Sequence, residues 1–282
     1  MPSQSPNEFV ITSSVRTAIV CRVDESPTPT DELLSEIDAS DSAVYDALST
    51  LRNRGLLTEA SEGWELTAHG SIVADSVSAW QSAEDFLATD PEFWKNHQLE
   101  VIPPTFRRRL PEIGEYEIIR DTPQDPNKSE DVAISMLKAA EACELTTPYY
   151  SRRHQEAIPT HPETRLLVTR EAIDVSLQRY AAGHREELTT LDPTNIRLTE
   201  CAFASVVTDE QLKFELPRLS EASTTNHATA PSAGGSVTDT SAIFVSETDA
   251  AVQFGRDLFK ALWVDSEPMG PYIEREFPEL SE

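Results

Sequence analysis

Residues 40–54, SDSAVYDALSTLRNR, settle the layout of the first third of this chain. Ser40 is a good N-cap, because its hydroxyl accepts an amide proton that the first helical turn leaves unpaired. Asp41 follows in the positive first turn. Val44, Ala47, Leu48 and Leu51 recur at helical spacing and make one apolar stripe. Ser42, Tyr45, Asp46, Ser49, Arg52 and Asn53 project elsewhere, and none of them needs a core. Gly55 ends the pattern just past two arginines. The spacing predicts one amphipathic helix with an uncommitted polar face.

The neighbours give that helix its context. Upstream, Phe9, Ile11, Val15, Ala18 and Ile19 predict a first helix running to about Arg22. Residues 24–29 (DESPTP) break it. Thr30 is expected to cap a short helix, with Asp31 and Glu32 in its first turn and Leu33, Leu34 and Ile37 on its inner face. Asp38 and Ala39 turn the chain into 40–54. Downstream, LLTEA and WEL flank Ser61, Glu62 and Gly63, a turn signal, so two short strands are expected. Thr67 then caps a helix to about Leu87, with Ile72, Val73, Val77, Trp80 and Ala83 on one face. Helix, turn, helix and hairpin is the layout of a winged helix-turn-helix, in which 40–54 is the recognition helix. The candidate DNA contacts are Ser40, Ser42, Tyr45, Ser49, Arg52, Asn53 and Arg54. Arginine bonds guanine bidentately, asparagine bonds adenine, and serine and tyrosine reach phosphates. The bland reading of the same face is a solvated surface, to which Asp41 and Asp46 also belong. Trp64 either reaches the nucleic acid or packs under the hairpin, and packing is favoured.

Composition pulls the other way. The chain has 282 residues, 39% of them hydrophobic, and a net charge of −26. An acidic balance ordinarily argues against nucleic acid. The acids are spread along the whole chain, lysine is scarce, and Asp, Glu, Thr and Ser are abundant. That pattern resembles proteins of extremely halophilic archaea; the alternative is an acidic mesophilic protein. In concentrated salt the Debye length falls to roughly 3 Å, so global repulsion matters little. Cys21, Cys143 and Cys201 are far apart and show neither metal spacing nor a disulfide framework. With no signal-like or membrane-length apolar run, the expectation is a cytoplasmic protein without membrane contact.

Beyond residue 90 helical and strand patterns alternate. Helices are expected over 132–144 and 171–183, and strands over 145–147, 165–169, 195–199 and 243–246. Residues 202–208 and 211–216 pair as a hairpin across Asp209 and Glu210. Thr248 caps a closing helix through Trp263. Residues 221–241, rich in Thr, Ala, Ser and Gly, read as a long exposed loop. The fold class is α/β, α+β overall: a winged helix-turn-helix over 8–88, then an α/β mixed-sheet domain over 89–270.

Three segments carry a resemblance. One is LRNRGLL with WELTAHG. Another is Phe93, Trp94, Lys95, Asn96, His97, Gln98 and Leu99, followed by Ile102, Pro103 and the segment 110–114. The last is Ser246, Glu247, Thr248, Asp249, Ala250 and Ala251, continuing into a helix with Gly255, Leu258 and Phe259. Together they resemble archaeal, largely haloarchaeal, winged-helix transcriptional regulators with a methanogenesis-regulator-type (TrmB-like) C-terminal domain. The resemblance covers nearly the whole chain and implies a DNA-binding regulator whose C-terminal domain senses an effector or oligomerises. Two departures stand out. Phe254 occupies the place of the Trp that usually precedes the glycine, and Arg107, Arg108 and Arg109 are unusually basic.

The three arginines are placed on a helix, where they hold an anionic group or make intramolecular ion pairs. Residues 148–154 (PYYSRRH) follow the first strand of the α/β domain, where ligands bind at strand ends. Arg107, Tyr149, Tyr150, Arg152 and His154 are therefore the candidate effector residues, a purely structural loop being the alternative. The resembled domain is distantly similar in layout to phospholipase D-like folds, whose chemistry needs a His with Lys two residues on. No His here has that Lys, and no His pair has ligand spacing. No catalytic residue, metal or cofactor is expected. The expected partners are double-stranded DNA, a second copy of the chain, since operators are usually two-fold, and a small-molecule effector. Trp80 and Phe86 either join subunits or pack in the core. The rival reading is an adaptor whose winged helix binds protein instead of DNA.

Overall fold

A computed structural model describes residues 4–181, 193–219 and 242–277. The chain falls into two compact units, Met1–Asp85 and Phe86–Glu282. The first begins with α1 (Pro6–Ile11), α2 (Ser14–Glu25), α3 (Thr30–Glu36) and α4 (Asp41–Asn53). The hairpin β1 (Leu57–Ala60) and β2 (Gly63–Leu66) follows, and α5 (Ala68–Ala88) comes next.

The single N-terminal helix expected from the sequence is two helices. Thr12 closes α1 by donating its hydroxyl to the Glu8 carbonyl at 2.8 Å, and Ser13 caps α2 by accepting from the Arg16 amide. Local side-chain bonds of this kind compete with helix continuation. Thr30 is not the cap of α3. Pro29 stands there, and the Thr30 hydroxyl instead accepts from Trp64 Nε1 at 3.0 Å. Ser40 does cap α4, accepting from the Ala43 amide, and Thr67 caps α5, accepting from the Gly70 amide at 3.0 Å. Losing such a cap costs about 1 kcal/mol.

The apolar stripe of α4 is buried as expected: Val44, Ala47, Leu48 and Leu51 pack with Ile19, Val20 and Leu33. On α5 the inner face is Val73, Ala74 and Val77, whereas Ile72 and Trp80 are exposed at 67% and 40%. A third strand position was missed in the sequence. Thr28 pairs with Trp64, each backbone amide donating to the other's carbonyl at 3.1 and 2.9 Å. The hairpin is thereby tied to the α2–α3 junction.

The second unit contains α6 (Pro91–Asn96), α7 (Pro104–Arg107), β3 (Glu117–Arg120), α8 (Lys128–Ala139), β4 (Glu144–Thr147), α9 (Arg152–Gln155), β5 (Arg165–Val168) and α10 (Arg170–Ala181). It continues with β6 (Ile196–Leu198), β7 (Ala204–Val207), β8 (Leu212–Glu215), β9 (Ala242–Ser246), α11 (Asp249–Val264), β10 (Glu267–Pro268) and α12 (Met269–Glu276). The strands form one mixed sheet in the order β10-β6-β5-β4-β7-β8-β9-β3, parallel across β6, β5 and β4 and antiparallel elsewhere. The β7–β8 hairpin stands where the sequence placed it. The 132–144 helix is α8, which starts four residues earlier and stops at Ala139. The helix capped by Thr248 does not close the chain, since β10 and α12 follow it. The expected loop over 221–241 lies outside the described residues.

Alternation along the strands divides two apolar clusters. Leu212, Phe214 and Phe244 pack with Phe254 and Leu258 of α11, while Leu145, Leu166, Val168 and Val206 pack with α8, α10 and α12. Phe86 is buried in the first cluster, 4.7 Å from the Tyr116 ring, so it is a core residue and not a subunit contact. Trp94 donates to the Tyr116 hydroxyl at 2.7 Å, which donates to the Phe86 carbonyl at 2.6 Å.

The hairpin suggests a stability test. Gly63 has φ +128°, and a Cβ there would overlap the Thr28 carbonyl; Gly55 has φ +70° but open space around it. Gly55→Ala should cost about 1 kcal/mol for the backbone alone, and Gly63→Ala at least about 3 kcal/mol. Urea unfolding of the two variants measures the difference. Equal losses would show that the Thr28 contact does not constrain the hairpin.

Candidate functional site

The polar face of α4 is open. Ser42, Tyr45, Asp46, Ser49, Arg52 and Asn53 are all exposed and recur at three- and four-residue spacing, so they share one side of the helix. Tyr45, at 55% exposure, is its largest apolar surface. Ser40 and Ser42 sit with their hydroxyls 3.1 Å apart at the N-terminal end. Arg52 lies towards the hairpin, 3.9 Å from the Glu59 carboxylate, with its guanidinium 5.9 Å from the Trp64 ring. Arg54 is committed differently. Its guanidinium stacks 3.8 Å from the Phe9 ring and donates to the Gln4 carbonyl at 3.2 Å.

The other two arginines of this unit serve the fold. Arg16 also lies over Phe9, at 4.0 Å, and donates to its carbonyl at 2.8 Å. Partial burial, and then the charge of Arg54, lower its pKa. Arg22 joins α2 to α3 through Glu32 and Glu36 and donates to the hydroxyls of Ser26 and Thr28. Residues 1–85 hold fifteen acids against four arginines and no lysine. Two of these acids, Glu59 and Glu62, stand exposed at the hairpin. Trp64 is 8% exposed and packs beneath the hairpin, so the packing reading of that residue holds.

The candidate effector residues are separated. Tyr149, Tyr150 and His154 line one cavity of about 90 Å³ on the α10 side of the sheet, whose floor includes Leu145, Leu166 and Ile196. Arg152 and Arg107 do not line it. Arg152 is exposed and donates to Glu156 at 2.7 Å. Arg107 ends α7 half-buried, Arg108 is exposed, and Arg109 is held by Glu112 and Asp257, both at 2.9 Å. For Arg109 the intramolecular ion-pair reading therefore holds.

Behind Tyr149 lies a cluster that sequence reasoning missed. Lys213, only 1% exposed, bonds Glu215 at 2.9 Å, and the Tyr149 hydroxyl donates to the same carboxylate oxygen at 2.7 Å. Burial raises the Tyr149 pKa well above its ordinary value, reinforced by the Glu215 charge. Burial pushes Glu215 up too, but the charge and hydrogen bond of Lys213 prevail and hold it below the carboxylate norm. His154 is driven down, first by burial and then by Lys213. Its Nε2 is buried without a hydrogen-bond partner among the described residues. The available signal was the alternation in 212–215 (LKFE): two charges on one side of a strand whose other side is Leu and Phe.

Thus the chain has an N-terminal helical unit with one two-stranded hairpin and a second unit built on a mixed sheet. Residues 5–85 match the family model described as the HVO_A0261 N-terminal domain. A curated relative, the methanogenesis regulatory protein FilR1 of Methanothrix harundinacea (strain 6Ac), is 23% identical over 118 residues, 42% of this chain and 26% of its own length. The chain thus spans about a quarter of the curated relative it matches. These sequence matches bear out the resemblance to TrmB-like archaeal regulators. Among solved structures, TrmBL2, an archaeal chromatin protein with a novel mode of DNA binding, is 13% identical, with 90% of this chain and 93% of that one covered and a TM-score of 0.34. Nuc from Salmonella typhimurium, a phospholipase D family member, is 6% identical, with 54% and 97% covered and a TM-score of 0.35. Scores this low carry no argument. Among the described residues no helix is long and apolar enough to cross a membrane.

The buried imidazoles make stability depend on pH. His154 and His97 both have pKa values lowered from 6.5, chiefly by burial. Each binds a proton less readily folded than unfolded, so its stabilising effect is complete above pH 6.5 and declines as pH falls towards the lower folded value. The unfolding free energy should therefore fall less between pH 7.5 and 5.5 in His154→Gln than in the wild type. Parallel curves from urea titrations would show that His154 is not involved.

Proposed function

We propose that this chain is a DNA-binding transcription regulator of a halophilic archaeon, with an N-terminal unit that reads DNA and a C-terminal unit that senses a small molecule. The observation that carries this reading is the exposed face of α4. It is a capped helix set between a short preceding helix and a wing, and it offers hydroxyl, phenol, amide and guanidinium groups on one side. The match of residues 5–85 and the regulatory name of the FilR1 relative support it. Ser42, Tyr45, Ser49, Arg52 and Asn53 are the contacts, and Ser40 contributes through its position at the helix start. Arg54 holds the N-terminal segment and acts on DNA only through it. The reading is of a regulator and not an enzyme, acting in the cytoplasm without a cofactor.

The acid excess is the one feature that favours the rival, a winged helix that binds protein. DNA docking on α4 brings phosphates near Asp41, Asp46 and Glu59, so cations must enter between like charges. Binding then takes up cations as well as releasing them, and affinity falls less steeply with salt than phosphate counting alone requires. Fluorescence anisotropy with the chain's own upstream DNA in KCl tests both points. Arg52→Ala with Asn53→Ala should weaken binding by at least about tenfold, each bidentate base contact contributing about 1–3 kcal/mol. The wild-type salt slope should be shallower than about −0.9 per contacted phosphate. Equal binding of upstream and random DNA by wild type and variant would favour the protein-binding adaptor, and a normal steep slope would remove the cation-uptake account.

A homodimer is the expected form. Ile72 and Trp80 are exposed two turns apart on one side of α5, and 68–83 holds no positive charge and only Asp75 as an acid. A second copy's α5 can cover this side without burying an opposed charge. Trp80→Glu should convert the dimer to a monomer in sedimentation velocity while leaving the far-UV spectrum unchanged. A dimer that survives the substitution would place the interface elsewhere.

A further inference from the structure

The cavity of the second unit has a chemistry of its own. Its floor is the row Ile196, Leu166 and Leu145, adjacent positions on β6, β5 and β4. Ala172 and Ile173 of α10 close another side, and the half-exposed Tyr150 and Gln155 stand in the segment after β4. Arg179 of α10 lies over the Tyr150 ring at 5.4 Å but is exposed to water and does not line the cavity, and the buried charges nearby are matched. Lys213 is bonded to Glu215, on β8, two strands from β4. Arg153, on α9, is paired with Glu130 and with Asp131 at 2.5 Å, both on α8. None of the residues lining the cavity is a Lys, Arg, Asp or Glu, so a charged group taken into its interior would leave water without a counterion beside it, which is costly in an apolar site. The unmet group is neutral: His154 Nε2 lacks a partner among the described residues, and buried polar atoms seldom remain so.

We propose that this cavity binds a small uncharged molecule that is apolar over most of its surface and carries one hydrogen-bonding group, which meets His154 Nε2 once the imidazole turns towards the guest. The volume, about 90 Å³, sets the size. An apolar cavity of about 150 Å³ accommodates the six carbons of benzene, so in proportion the enclosed part of this ligand has roughly four non-hydrogen atoms. A branched short-chain alcohol has that size and polarity, and sugars and carboxylates do not. The proposal depends on the effector reading above only for its effect on DNA; the site itself stands without it.

Isobutanol, isobutyrate and isobutylammonium form a series of nearly constant shape and changing charge. The full chain, labelled at isoleucine methyls, is titrated with each and followed by two-dimensional NMR. Isobutanol should give saturable shifts confined to Ile158, Ile173 and Ile196, with Ile19 and Ile37 of the first unit as internal references. The two ions should give none at tenfold higher concentration. His154→Phe should weaken isobutanol by about fivefold, one net hydrogen bond. Equal shifts from either ion would overturn the uncharged class while leaving an effector site in place. No shift from any of the three would overturn the site. Anisotropy with upstream DNA, with and without isobutanol, separates the two claims. Cavity shifts with unchanged DNA affinity would support the site and overturn its effector role.

Discussion

The backbone pair between Thr28 and Trp64 holds the first unit in its functional shape. Without it, β1 and β2 are a two-stranded hairpin, which is marginal in water. With it, the hairpin gains a third strand position and is anchored at the α2–α3 junction. The indole then extends the same link, since Trp64 Nε1 donates to Thr30 at the start of α3. Arg22 secures the other side through Thr28, Ser26 and the two glutamates of α3. The position of α4 follows, because α3 precedes it and β1 follows it directly. At its far end Thr67 closes the loop by donating to the Gly55 carbonyl at 2.6 Å while capping α5.

This accounts for what could be read in the sequence. Local chemistry was legible: the Ser40 and Thr67 caps, the α4 stripe, the Gly63 turn and the β7–β8 pair all follow from near neighbours. Thr28 was not legible as a strand, because it sits between prolines and its partner is thirty-six residues away. Thr30 was misread for the same reason. A good cap residue was diverted to a distant indole. Ile72 and Trp80 were grouped with the core face of α5 because apolar identity does not say which side a neighbour covers. Of the cavity, the loop bearing Tyr149, Tyr150 and His154 was legible from its place after β4. Lys213 and Glu215 were not, since their meeting with Tyr149 depends on β8 lying beside β7, and β7 beside β4.

The arrangement of arginines gives the charge problem a physical form. A chain with few cations spends them first on structure. Arg22 fixes α3, Arg16 and Arg54 fasten the N-terminal segment on Phe9, and Arg109 ties the 110–113 turn to α11. Planar guanidinium serves these tasks better than a lysine ammonium, because it stacks on rings and bonds carboxylates along two edges. On the α4 face only Arg52 remains, and it is shared with Glu59. In the proposed DNA complex, recognition by such a face leans on hydroxyl and amide groups, and few charged contacts are left to carry specificity.

The same economy appears inside the second unit with opposite consequences. On the surface an acid excess faces water and dissolved ions, which screen it. Beneath Tyr149 no salt enters, so charge must balance within the site itself. Lys213 and Glu215 balance each other there, and the Tyr149 hydroxyl donates to the same carboxylate oxygen that Lys213 bonds. Replacing either partner alone would leave a buried charge unpaired, which costs more than the pair contributes. The pair is therefore held in place by the penalty for breaking it, and it keeps the Tyr149 ring fixed as a wall of the cavity. The same strand faces both ways, since Leu212 and Phe214 of β8 pack against α11 on the opposite side from Lys213 and Glu215.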